Sequence, residues 1–182
     1  MSKSVDPIAI IEKYYPEDNE LRRLLLHHSR QVADKALEVA RRHPELSLDT
    51  SLLENGGLLH DIGIFLCDAP GIHCFGNEPY LLHGRLGAAL MRKEGLEDIA
   101  RICERHTGTG LTTEDIRRQN LPIPEGDYRP ETMEEQVICY SDKFFSKSHP
   151  EAERSVERII QSLRKFGENG IVIFQKWHEM FG

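Results

Sequence analysis

The 182-residue sequence predicts an all-α fold, a single-domain helical bundle of seven to nine helices over residues 1–182. Three observations carry that expectation. Apolar residues recur at spacings of three and four through most of the chain, the period of a helix with one buried face. The breaks in that pattern fall at residues that cap or stop helices. The length is close to one domain of about 150 residues, and neither an internal repeat nor a low-complexity linker divides it.

The elements follow in order. Asp6 and Pro7 open a short apolar helix ending near Tyr15 and Pro16. A long helix runs from about Glu17 to Arg42, with Leu21, Leu24, Leu25, Val32, Ala36, Val39 and Ala40 at helical spacing. Asp49 caps a third, from Thr50 to about Gly63. Residues 67–79 hold two prolines and two glycines without a period and are read as loop. A helix from about Tyr80 to Glu94 stops at Gly95, and another from Leu96 to His106 stops in Thr-Gly-Thr-Gly. Thr112 with Asp115 resembles a capping box and opens a short helix to Asn120. The proline-rich stretch 121–130 is a connector or a lid. Thr132 with Glu135 opens a helix to about Phe145, and Ser148, Pro150 and Glu151 open one ending near Gly167. Residues 169–181 read as a last short helix, although Ile171–Phe174 also fits a strand.

Composition excludes several function classes. Asp and Glu number 30 against 23 Lys and Arg, a formal net charge of −7. A general binder of long nucleic acid needs a basic footprint instead. No apolar run approaches the roughly 18 residues of a membrane span, and the first twenty residues are too acidic and interrupted for a signal peptide. Cys67, Cys74, Cys103 and Cys139 form no Cys-x-x-Cys pair. A reduced, cytoplasmic setting is therefore expected. The apolar run Ile171–Phe174 leaves internal packing and a homodimer contact both open.

Histidine is the unusual component, with nine residues in an otherwise carboxylate-rich chain. His28 lies midway along the long helix, and His60-Asp61 near the end of the third. His83 falls early in the helix 80–94, His106 ends the helix 96–106, and Asp142 is late in the helix from Thr132. Each of the first two positions and the last is flanked by core-like residues: Leu24, Leu25 and Val32; Leu58, Leu59, Ile62 and Ile64; Val137, Ile138 and Tyr140. Buried ionisable groups are costly unless paired or bound to metal. A mixed His/Asp set suits Fe, Mn, Zn, Ni or Co, with Mg as a further option, rather than Ca. Alternatives stand beside each position. His27 competes with His28 for the inward face, Asp142 could pair with Lys143 on the surface, and His106 could act as a cationic helix cap. Thr107–Gly110 is either a helix stop or an anion nest. His73, in the loop after His60-Asp61, could overhang a pocket there, and with Cys67 and Cys74 could bind a metal of its own.

His28-Ser29, Leu58-Leu59-His60-Asp61-Ile62-Gly63 and Asp142 together resemble the HDIG-type, HD-domain metal-dependent phosphohydrolases, and the runs Arg105–Asp115, Tyr128–Glu135 and Tyr140–Lys143 resemble small uncharacterised prokaryotic members. The resemblance covers roughly 20–147, leaving 148–182 as a C-terminal helical extension. It implies a helical bundle in which His28, His60, Asp61 and Asp142 hold one metal, while Asp61 bridges to a second held by His83 and His106. His60 and Asp61 would be the catalytic pair, and a hydroxide between the metals the nucleophile. The implied substrate is a small phosphorylated molecule, a nucleotide, cleaved at a phosphate monoester, diester or anhydride. Two departures matter. Many relatives carry a lysine where this chain has Ile64, so positive charge must come from Lys143, Arg85, Arg105 or Arg129. Relatives often have a His-His pair where this chain has His106-Thr107, so His83 and His106 either bind a second metal or contact phosphate. A di-iron oxygenase on the same fold and a non-catalytic metal- or nucleotide-binding module are the other implied readings.

Overall fold

A computed structural model describes residues 4–182; residues 1–3, which the expected domain includes, lie outside the described residues. The described chain forms nine α-helices: α1 (Pro7–Tyr14), α2 (Glu20–Arg42), α3 (Thr50–Leu59), α4 (His83–Lys93), α5 (Glu97–Glu104), α6 (Thr113–Gln119), α7 (Met133–Asp142), α8 (Val156–Arg164) and α9 (Glu168–Phe181). The fold is mostly helical and single-domain, as expected. None of the described helices is long and apolar enough to cross a membrane.

The caps act as their residue types predict. The Asp6, Asn19 and Asp49 side chains accept the N–H groups of Ala9, Arg22 and Leu52. Thr112/Asp115 and Thr132/Glu135 form reciprocal capping boxes on α6 and α7. Four expectations are corrected. The third helix ends at Leu59 rather than near Gly63: the Ile62 and Ile64 N–H groups turn back to the Leu59 and Asp61 carbonyls, and Tyr15 Oη takes the Ile62 carbonyl at 2.8 Å. The seventh ends at Asp142 rather than Phe145, tightening into 3-10-type bonds over the next three residues. The eighth begins at Val156, capped by Ser155, not near Ser148. Its expected first turn is committed elsewhere: Arg154 N–H reaches the Phe144 carbonyl, and His27 and Gln31 donate to the Pro150 carbonyl. Within the expected loop 67–79 sits a small antiparallel ladder, β1 (Asp68–Ala69) with β2 (Cys74–Phe75). The strand alternative at Ile171–Phe174 gives way to helix α9, with Ile171 and Phe174 in the core.

Two apolar clusters build the core. One joins Val32, Val39, Leu53, Val137, Ile138, Phe144, Phe174 and Trp177 from α2, α3, the α7 region and α9. The other joins Ile11, Leu25, Leu59, Ile62, Met91 and Ile99 from α1, α2, the end of α3, α4 and α5. Helix α2 serves both, with Leu25 in one cluster and Val32 in the other. His28 lies one turn from each, on the same buried stripe. The polar centre thus sits on the seam between two apolar cores. Gly63 closes that seam. A Cβ there would stand 2.4 Å from the His83 carbonyl and 2.5 Å from the Gly87 N, so only glycine lets the start of α4 cross this close to the turn after α3.

Candidate metal centre

Six side chains from five regions converge in the seam. His28 comes from within α2, His60 and Asp61 from the turn after α3, and His83 from the first residue of α4. His106 comes from two residues past α5, and Asp142 from the last residue of α7. The five other than Asp142 are buried, Asp61 and His60 completely. The competition between His27 and His28 is resolved by periodicity: His28 lies on the Leu25–Val32 stripe, while His27 faces Pro150.

Asp61 is the centre of the set. Its Oδ2 lies 3.2 Å from both His28 Nε2 and His60 Nε2; its Oδ1 lies 3.3 Å from His83 Nε2 and 3.2 Å from His106 Nε2. Asp142 Oδ1 completes the Oδ2 side, 3.1 Å from His28 Nε2 and 3.3 Å from His60 Nε2. Two overlapping groups result, His28/His60/Asp61/Asp142 and Asp61/His83/His106, with ligand atoms within 4.8 Å of one another in each. These are the two groups of this kind among the described residues; Cys67, Cys74 and His73 form none. All four cysteines are free and buried, and His73 is turned outward, 3.1 Å from Glu20 Oε2.

The hydrogen bonds orient the rings toward a cation. His60, His83 and His106 each donate Nδ1–H to the carbonyl three residues earlier, of Gly57, Tyr80 and Cys103, at 2.7, 2.6 and 2.7 Å. A carbonyl only accepts, so in the neutral rings the Nε2 lone pairs point inward. His83 and His106 then face each other, Nε2 to Nε2, at 3.0 Å. Two lone pairs at that separation repel unless a positive centre lies between or beside them. Asp61 Oδ1 is buried and lacks a hydrogen-bond partner, a desolvation cost of about 1–3 kcal/mol unless a ligand meets it. The donor set fits divalent metal ions on these grounds.

Electrostatics differ across Asp61. Burial opposes charge on His60, but the Asp61 and Asp142 carboxylates outweigh it and hold its pKa up at about 10. Burial also dominates at His106, pushing it down to about 4 despite Asp61. Asp61 and Asp142 stay well below the usual carboxylate range against burial, through His60 and Lys147 at the first and Lys143 and His28 at the second.

The expected phosphate-binding residues divide. Lys143 is at the centre: its Nζ lies 3.1 Å from Asp142 Oδ2 and 2.9 Å from the His106 carbonyl. Arg85 is exposed and lies over the Tyr128 ring; Arg105 donates to the Arg129 carbonyl; Arg129 is tied to Asp127. The structure brings none of these three arginines into the His/Asp cluster. Two residues that sequence reasoning missed are at the site. Lys147 Nζ sits 2.6 Å from Asp61 Oδ2, and Arg154 lines the same open cleft as Asp142, Lys143 and Lys147, a space of about 350 Å³. The only sequence signal for Lys147 was a basic residue five positions after Asp142 in a polar stretch. Gly108 and Gly110, at φ +60 and +102, turn the chain away from α5. The 121–130 stretch is pinned rather than loose: Tyr128 N–H bonds to the Leu111 carbonyl at 2.7 Å, and Ile123 packs with Leu111 and Ile116.

Comparison with known proteins places this geometry. The HD domain family model matches residues 25–146. Two curated relatives are tRNA (cytidine(56)-2'-O)-methyltransferases. That of Thermoplasma volcanium is 29% identical over 144 residues, 79% of this chain and 37% of its own. That of Picrophilus torridus is 34% identical over 124 residues, 68% of this chain and 32% of its own. The chain thus spans about a third of the length of these relatives. An uncharacterized protein of Methanocaldococcus jannaschii is 31% identical over 145 residues, 78% of each chain. Among solved structures, the HD domain of the L. monocytogenes phosphodiesterase PgpH in complex with cyclic-di-AMP superposes with a TM-score of 0.56 at 20% identity, covering 90% of this chain and 83% of that one. A second structure of that domain gives 0.55 at 22% identity, covering 98% and 88%. At these identities the likeness is one of fold.

Proposed function

The chain belongs to the HD domain family, and from that premise we propose that it is a metal-dependent phosphohydrolase, cleaving a phosphate monoester, diester or anhydride of a small molecule of the nucleotide class. The observation that carries this reading is the placement of Asp61, whose two carboxylate oxygens each face a separate pair of histidines. In this reading His28, His60, Asp61 and Asp142 hold one divalent cation, and Asp61, His83 and His106 a second. Fe, Mn, Zn, Ni and Co suit such mixed nitrogen and oxygen donors. When bound, the pair supplies a water acidic enough to act as nucleophile at neutral pH and positive charge for phosphate oxygens.

The remaining chemistry belongs to the chain. The carbonyls of Gly57, Tyr80 and Cys103 fix the tautomer and direction of three histidines, so the donor set is assembled before any ligand arrives. The two apolar clusters exclude water from the back of the site. Lys143, Lys147 and Arg154 line its open side, where cationic donors suit phosphate oxygens. They take the place left by Ile64 and make a phosphate substrate compatible with an acidic chain. Cyclic-di-AMP, bound by the L. monocytogenes neighbour, is a nucleotide and supports that substrate class. The methyl transfer of the tRNA-modifying relatives is left with those relatives, since the shared segment is about a third of their length. We also place the domain core at about 20–147, a division that the match to 25–146 supports.

The test is activity of His60→Ala and Asp61→Ala proteins on phosphatase and phosphodiesterase substrates with Mn, Co, Ni, Fe and Mg. Loss to background in both is expected. Full activity in either overturns the assignment, and tight nucleotide binding without turnover in the wild type would make the chain a binding module instead.

A further inference from the structure

The cleft beside Asp142 accounts for a phosphate but not for the rest of a substrate. It meets a second cavity, of about 370 Å³, and Gly108, Leu163 and Phe166 line both. Each space falls in the range of small-molecule sites, about 300–1,000 Å³. The chain Thr107–Leu111, which lines the second cavity, begins at the residue after His106, so the cavity wall continues from the segment that carries that histidine.

The two spaces differ in chemistry. The cleft presents Lys143, Lys147 and Arg154. In the cavity Arg118 is paired with Asp115 at 3.1 Å and Arg129 with Asp127 at 2.9 Å, and the lining sets these two cations against two carboxylates, whereas the lining of the cleft sets its three cations against Asp142 alone. Glu114 and Asp115 also line it, which disfavours a second anionic group. Most of the rest is apolar, from Leu81, Leu111, Val172 and Ile173. Phe166 is 55% exposed and Val172 48%, unlike Ile171 and Phe174 of the same C-terminal region, which are buried. Large apolar side chains left open beside a cationic cleft offer a flat, uncharged ring a surface to stack on. The amides of Gln119 and Asn169 supply both donors and acceptors to the edge of such a ring.

We propose that this cavity binds the base of a nucleotide whose phosphate occupies the cleft, with Phe166 and Val172 as the contacts that set specificity for the organic part. The phosphate end of this assignment rests on the phosphohydrolase reading; binding of the base does not. The experiment therefore uses nucleosides, which carry no phosphate. The full, metal-loaded chain, labelled with ¹⁵N, is titrated with adenosine, guanosine, cytidine and uridine, and separately with ribose 5-phosphate. At least one nucleoside should shift the Gly108, Gly110 and Gly170 amides, and ribose 5-phosphate should leave Gly110 and Gly170 in place. Val172→Trp, which fills the cavity, should weaken that nucleoside by about tenfold or more, and Phe166→Ala by roughly fivefold or more, the range of a lost base stack. Thermal melts of both variants establish that they are folded. No shift with any nucleoside, or equal affinity in both folded variants, overturns the proposal. Shifts of the same glycines on raising protein concentration alone would assign the cavity to a second copy of the chain and also overturn it. Retained phosphatase activity in His60→Ala would sink the phosphohydrolase reading without altering the nucleoside result, so the two failures are distinguishable.

Discussion

The two sides of Asp61 hold the same kinds of atoms in opposite electrostatic states. On the Oδ2 side, His28 and His60 face two carboxylates, and His60 is held up at about 10. Protons can stand in for a cation there. On the Oδ1 side, His83 and His106 share one carboxylate oxygen, their Nε2 atoms oppose each other at 3.0 Å, and burial pushes His106 down to about 4. A proton on His106 serves this side poorly, so the close approach of the two Nε2 atoms depends more on a metal ion for relief. The contrast teaches that similar donor lists need not give equal sites. The side with two carboxylates should bind first and tightly, the other second and weakly.

The largest effect should come from removing the residue common to both sides. Asp61→Ala is expected to abolish binding of both ions and all phosphohydrolase activity, as measured by metal content and turnover. His83→Ala should act on one side only, lowering the ion count from two to one while leaving the first affinity within a fewfold in calorimetry. A comparable loss of the first ion would break the proposed asymmetry.

Protons should report the same asymmetry. In the metal-free protein His60 lies at about 10 against a reference value of 6.5. Its contribution to stability is fully present below about 6.5 and is lost as pH rises through about 10. His106, lowered to about 4, has the opposite sign: it penalises folding as pH falls from about 6.5 toward 4. At pH 8 the first ion should therefore release about one proton from His60, and the second none from His106. Titration calorimetry in two buffers of different ionisation enthalpy measures this; equal release for both ions would count against it.

Much of this was legible in the sequence, for local reasons. Caps at Asp6, Asp49, Thr112 and Thr132 are short-range chemistry, and each starts a helix where expected. The spacing of Leu25, His28 and Val32 marks a buried stripe. What escaped depends on distant partners. Lys147 meets Asp61 across 86 residues, and the delayed start of α8 reflects backbone groups engaged by His27, Gln31 and Phe144. Arg105 and Arg129 looked available because nothing local announced that one would hold the backbone of the other.

Two smaller perturbations sharpen the contrast. Lys147 Nζ lies against Asp61 Oδ2, on the side of the first ion. Lys147→Met should tighten that ion severalfold by removing a competing cation, leave the second nearly unchanged, and weaken inhibition by inorganic phosphate. An unaltered first affinity would remove Lys147 from the account. Gly63→Ala should act on the fold that joins the two sides, since its Cβ would overlap the His83 carbonyl. The expected cost is about 1–3 kcal/mol, read as a fall in Tm of roughly 2–4 °C per kcal/mol for a chain of this size.

The most direct test is the number of metal ions per chain in protein purified without a chelating tag and loaded with manganese, counted by elemental analysis together with its His83→Ala and Asp61→Ala variants. Two ions are expected in the wild type, one in His83→Ala and none in Asp61→Ala. A single ion in the wild type, or two retained in His83→Ala, would contradict it.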